Sequence, residues 1–146
     1  MKKFVLVLLV ALCLAQPAWA GFNEGFNAYK RGDYAGALRE WRPLAEHGFA
    51  KAQCNLGMMY AEGQGVPQDY KQAAYWYRKA AEQGLASAQY SLGGMYGNGQ
   101  GVPRDYKQAL YWSRKAAEQG HVGGQFNLGI LYYHGRGVPR DYKQAL

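Results

Sequence analysis

The sequence predicts an all-α solenoid, a superhelix of antiparallel helix pairs, on three observations: one string returns after 36 positions, each copy carries two helix-like stripes, and glycine or proline marks every boundary. Ala52 to Ser87 and Ala88 to Gly123 are identical at 25 of 36 positions, and Gly124 to Leu146 matches the start of the second copy at 15 of 23. A period of this length belongs to stacked supersecondary units, each unable to bury its own apolar face. An enzyme built around one pocket has no evident use for such repetition.

Residues 1–20 read apart from the fold. Lys2 and Lys3, an apolar run from Phe4 to Ala15 and the small-residue ending Ala18-Trp19-Ala20 have the form of a secretory signal peptide. The run is shorter than the roughly 18 apolar residues of a membrane span, and no later segment approaches that length. The expectation is therefore an exported chain, periplasmic or secreted from a bacterium, soluble once the signal is removed. Cleavage would take away Lys2, Lys3 and Cys13, leave 126 residues, and lower the formal charge from +7 to +5. The remaining basic groups are spread through the repeats and read first as a solvated face; a partner drawn by charge would be an anionic cell-envelope surface or an acidic protein rather than nucleic acid.

Residues 21–51 form a degenerate leading unit. Asp33, Tyr34, Ala37 and Gly48 fall in register with Asp69, Tyr70, Ala73 and Gly84, but the Gly-Val-Pro insert is missing. Atypical terminal units cap solenoids. Pro43 stands inside the expected second helix and should kink it.

Full units follow at 52–87 and 88–123, and a partial one at 124–146. In each, a first helix of about Ala52 to Ala61 carries the stripe Ala52, Leu56, Met59 and Tyr60. Gly57, Gly93 and Gly129 recur at its middle. A mid-helix glycine costs about 1 kcal/mol against alanine, so close approach of the partner helix is expected there, with Ala73 or Ala80 opposite. The second helix starts at Asp69, Asp105 or Asp141, with Gln72, Gln108 or Gln144 placed to complete a capping box. Its stripe is Tyr70, Ala73, Ala74, Tyr77, Ala80 and Ala81, and Gly84 or Gly120 ends it. Trp76 and Trp112 lie beside the stripe and are expected to pack between units, while Trp41 belongs in the core.

The string AQYSLGGMYGNGQGVPRDYKQALYWSRKAAEQG resembles a Sel1-like repeat, in which a unit opens Ala-Gln-x-x-Leu-Gly, passes through Gly-x-Gly-Val-Pro-x-Asp and closes Ala-Ala-Glu-x-Gly. The resemblance covers about Asn27 to Leu146. It implies right-handed stacking of the helix pairs into a curved superhelix whose inner face binds other proteins.

Between copies the framework letters stay constant while a small group changes. Lys51, Cys54, Met58, Ala61 and Glu62 become Ser87, Tyr90, Gly94, Gly97 and Asn98, then Gly123, Phe126, Ile130, Tyr133 and His134. Spacings of 3, 4, 3 and 1 place them on one side of the first helix, next to the buried stripe. In related tetratricopeptide units this side faces the groove. The expected partner-binding set is Lys51, Cys54, Met58, Glu62, Ser87, Tyr90, Asn98, Phe126, Ile130, Tyr133 and His134, with another protein or peptide of the cell envelope as partner.

Catalytic chemistry has little material. There is no threonine, no Ser-x-x-Lys, no Gly-x-Ser-x-Gly and no His-Glu-x-x-His. His47, His121 and His134 stand at three different repeat positions, at least 13 residues apart, and Cys54 alone cannot anchor zinc. No catalytic, cofactor or metal site is expected. The resemblance carries one alternative, the β-lactamase or penicillin-binding activity attributed to cysteine-rich relatives, but their paired cysteines are absent. Finally, the sequence stops five residues into its last expected helix, so self-association, cover by a partner, or fraying is expected at that end.

Overall fold

The computed structural model describes residues 18–145. Among them are seven helices and no strand. They are α1 (18–30), α2 (Tyr34–Glu46), α3 (Ala50–Glu62), α4 (Tyr70–Glu82), α5 (Ala86–Asn98), α6 (Tyr106–Glu118) and α7 (Val122–His134). Residues 1–17, most of the expected signal segment, lie outside the described residues. Its expected end, Ala18 to Ala20, is helical and continuous with α1. Trp19 packs edge-on against Phe22 and Phe49, with ring centroids 5.9 and 5.4 Å apart.

Each helix is brief, and helices of three or four turns are marginal alone in water. Burial between neighbours supplies the stability. Ala52, Leu56, Met59 and Trp76 share one core cluster with Ala28, Ala37, Leu38, Trp41 and Ala45, while Ala88, Leu92, Met95 and Trp112 share the next with Ala73, Tyr77, Ala80 and Ala81. Trp76 and Trp112 therefore reach back into the preceding unit. Trp41 is wholly buried, and its indole N–H donates to the Phe22 carbonyl at 3.0 Å, tying α2 to α1. α2 keeps helical form through Pro43 to Glu46.

The aspartate caps form, but the boxes do not close. The Asp69 carboxylate accepts from the backbone N–H groups of Lys71 and Gln72, and Asp105 does the same for Lys107 and Gln108. The return bond from Gln72 or Gln108 is replaced, because the Asp69 and Asp105 N–H groups already donate to the carbonyls of Tyr60 and Tyr96. That bond ties the start of each second helix to the end of its own first helix. Asp141 repeats the cap with Lys143 and Gln144, and residues 142–145 form a turn.

The mid-helix glycines do mark close approaches, with the expected alanine among the nearest neighbours at Gly93, where Ala109 corresponds to Ala73, but not at Gly57. A methyl group added at Gly57 would meet the Tyr77 ring at 2.9 Å, rather than Ala73 or Ala80. At Gly93 it would meet Ser113 Oγ at 2.8 Å, the Ser113 backbone nitrogen at 3.2 Å and the Ala109 carbonyl oxygen at 3.3 Å.

Two conserved-looking glutamines per unit turn out to be the stitching between units. Buried Gln53 donates to the Ala45 carbonyl at 3.0 Å, and Gln83 donates both to Gln53 Oε1 at 2.8 Å and to the Gly48 carbonyl at 2.9 Å. One repeat later Gln89 donates to Ala81, and Gln119 donates to Gln89 Oε1 and Gly84. The ladder adds side-chain donors at the helix ends: the Ala45 and Ala81 carbonyls, which also accept from the Gly48 and Gly84 N–H groups, and the carbonyls of Gly48 and Gly84 themselves. Sequence periodicity gives a buried polar residue beside Ala52 no distinguishing mark.

Candidate functional site

The changing side of the first helices forms one continuous surface across α3, α5 and α7. Two contacts between successive units establish this: Cys54 Sγ lies 3.6 Å from Ser87 Oγ, and Gly123 lies against the Tyr90 ring, which a methyl group there would meet at 2.8 Å. Both pairs join equivalent variable positions of neighbouring helices, and α5 also touches α7 directly. Burial pushes the Cys54 thiol above its ordinary range, partly offset by the Ser87 contact, so it carries little thiolate.

Two hollows open on this surface. The first, about 390 Å³, lies over α5 and takes in Tyr90, Asn98 and Ile130 from the expected set, along with Ala61, Gly94 and Gly97. The second, about 670 Å³, lies beside α7 and takes in Phe126, Ile130 and Tyr133, with Val122 and Tyr142. Ile130 belongs to both. Phe126 and Tyr133 are 68% and 55% exposed, and Tyr90 is 37% exposed. Lys51, Cys54, Met58, Glu62, Ser87 and His134 line neither hollow. Lys51 instead holds its ammonium 4.7 Å from the Trp19 ring centroid, and His134 stands edge-on to Tyr133 at 5.1 Å.

The hollow over α5 exists because side chains are missing. Gly94 and Gly97 stand where α3 has Met58 and Ala61 and α7 has Ile130 and Tyr133; nothing lies within 4 Å of a methyl group placed at Gly94. Ser113 stands where the previous unit has Tyr77. The walls come largely from second helices and turns: Tyr70 and Tyr77 on one side, Tyr106 and Arg136 on the other, with Ser91 and Asn127 between. Burial pushes the Tyr77 hydroxyl well above the usual tyrosine range. The guanidinium of Arg136 lies 5.3 Å from the Tyr106 ring centroid. Comparing first helices alone misses these walls; the Tyr77 to Ser113 change, visible in the aligned copies, was the available signal.

The hollow's lining contains no aspartate, glutamate, lysine or histidine. Ser91 and Ser113 thus have no general base beside them there. The arrangement suits contact with side chains and a backbone of another molecule.

Fold and surface together define a helical repeat scaffold that displays a variable face on a constant frame. The Sel1 repeat signature matches residues 50–85, 86–121 and 122–146, and the chain belongs to the Sel1 repeat family. A solved structure of c5321, a protective antigen of uropathogenic Escherichia coli strains displaying an SLR fold, is 42% identical with a TM-score of 0.84, over 96% of this chain and 31% of that one. A Sel1 repeat protein from Oxalobacter formigenes is 40% identical with a TM-score of 0.79, over 84% of this chain and 50% of that one. Shorter likenesses reach an exopolysaccharide production negative regulator of Rhizobium leguminosarum bv. viciae, 44% identical over 33% of this chain and 18% of the relative. DAP3-binding cell death enhancer 1 of Rattus norvegicus is 37% identical over 34% of this chain and 10% of the relative. The matches thus span a small part of these curated relatives. Among the described residues no helix is long and apolar enough to cross a membrane.

Proposed function

We propose that this chain is an exported adaptor that binds a protein or peptide of the cell envelope along the concave, variable side of α3, α5 and α7. The observation that carries the reading is the contrast within each first helix. Ala52, Leu56 and Met59 recur as buried Ala88, Leu92 and Met95, whereas the side carrying Tyr90, Phe126 and Tyr133 changes from unit to unit and stays accessible. Exposed aromatic groups beside a hollow are the type enriched in binding hot spots. Sel1 repeats commonly serve as protein–protein interaction modules, and relatives named for regulation and for binding DAP3 agree with that use. The hydrolase alternative gains no support, since neither serine of the hollow has an activating partner in its lining.

The test compares capture from envelope extract by the wild-type chain and by a Tyr90→Ala, Phe126→Ala, Tyr133→Ala variant. Partners recovered by the wild type and lost by the variant are expected; equal recovery rejects the groove. Export is tested by the mass of the chain in the periplasmic fraction. A mature start at Gly21 is expected, and a chain retaining residues 1–20 in the cytoplasm rejects it. Exposed Val122, Phe126 and Tyr133 also favour end-on self-association at α7, which a concentration-independent monomer in sedimentation would rule out.

A further inference from the structure

The chain contains its own template for what the hollow over α5 accepts. In the unit before it, the equivalent space against the mid-helix glycine is filled by the Tyr77 ring, which packs on Gly57. One repeat later that position is Ser113, and the facing glycine, Gly93, lines an open hollow of about 390 Å³. Met58 and Ala61 have likewise given way to Gly94 and Gly97, and Ser113 itself packs on Gly93, so the ring and two first-helix side chains are lost together and the space opens over Gly94 and Gly97. Removal leaves a second mark. Ser113 is 1% exposed, and its Oγ has no hydrogen-bond partner among the described residues. Buried hydroxyls are normally paired, so an unpaired one in the lining points to a group that arrives from outside.

Charge narrows the occupant further. Arg136 occupies a place where the earlier units have Gln64 and Gln100, and no carboxylate lines the hollow to neutralise it. Asn98, Gln100 and Asn127 offer amides around the opening, suited to the backbone of an extended segment. Resting on the inner-face reading above, we propose that this hollow takes one aromatic side chain of an acidic partner segment, seated over Gly94 beside Ser113, with a neighbouring carboxylate on Arg136.

The probe is a phage-displayed library of randomised twelve-residue peptides panned on the full chain. Selected peptides are expected to share an aromatic residue with Asp or Glu close by. Gly94→Met, which restores the residue of α3 into open space, should weaken a selected peptide by about tenfold or more. Ser113→Tyr should do the same by refilling the slot from within. Arg136→Gln should cost about threefold and flatten the salt dependence. Melting curves matching or exceeding wild type show that the variants fold. A consensus without an aromatic residue, a library with no specific binder, or wild-type affinity retained by either filled variant overturns the proposal. An envelope partner lost by the Tyr90, Phe126, Tyr133 triple variant but kept by Gly94→Met would leave the inner-face reading standing and reject the aromatic slot.

Discussion

The α3–α4 and α5–α6 hairpins share their frame almost letter for letter, yet the first is filled and the second is hollow. Both have a capping aspartate, a glutamine stitch, a buried leucine and a mid-helix glycine. Of the nine positions at which they part, three remove most of the bulk: Tyr77 against Ser113, Met58 against Gly94 and Ala61 against Gly97. In a solenoid each unit is held by its neighbours through the shared seam, so side chains away from that seam can shrink without unravelling the array. The hollow is thereby opened by subtraction in one hairpin, while its walls are drawn from three successive units.

The strongest way to break the contrast is to hollow out the filled hairpin. Tyr77→Ser should destabilise by about 3 to 5 kcal/mol, the range for truncating a large buried aromatic residue, whereas Ser113→Ala should be neutral or gain about 1 kcal/mol because an unpaired hydroxyl leaves the interior. Urea denaturation reads both, and equal effects would mean the two slots are not alternatives. Next in size is Gly101→Ala. Gly101 has φ +69° and lies against the Tyr70 carbonyl of the preceding unit, so a side chain there is strained and collides with backbone. About 3 kcal/mol is expected from the two costs together, and an unchanged midpoint would show that the hairpin turn yields.

Smaller effects sharpen the likeness between the hairpins. Gln83→Ala and Gln119→Ala should each cost about 1 to 2 kcal/mol, since each leaves a buried amide oxygen, on Gln53 or Gln89, without its donor. Unequal losses would show that the two seams differ. The smallest effect is the pH response of Cys54. Burial raises its native pKa, so its contribution is fully present below the ordinary thiol value of about 8.5 and is lost as pH rises through the native value. Wild type should lose stability relative to Cys54→Ala above that pH, with slow alkylation of the native thiol; parallel pH curves would show no such burial effect.

Much of this architecture was legible beforehand, for a particular reason in each place. Asp69, Asp105 and Gly84 announce helix ends because capping needs a side-chain acceptor and a left-handed residue at fixed local positions. The stripe containing Ala73, Tyr77 and Ala80 announces a buried face through its spacing. The closure of the capping box misled, because whether Gln72 can reach the Asp69 N–H depends on Tyr60, which claims that donor first. The neighbour of Gly57 misled similarly: spacing identifies a close approach, but the facing rotamers decide that it is the Tyr77 ring.

The sequence by itself determined the period, the helix pairs, their ends and the side of each first helix that varies, because these follow from local hydrogen bonding and from apolar groups spaced for one face. Tertiary structure alone decided that Tyr90, Asn98 and Ile130 meet around one hollow while Phe126 and Tyr133 meet around another. It also decided that Gln53 and Gln83 bond to each other and reach back to Ala45 and Gly48 of the preceding unit, and that Ser113 is buried without a partner among the described residues. Apart from the pairs that share one helix, Tyr90 with Asn98 and Phe126 with Tyr133, those outcomes depend on contacts between different helices, set by how neighbouring helices settle against each other, and no periodicity within one helix encodes them.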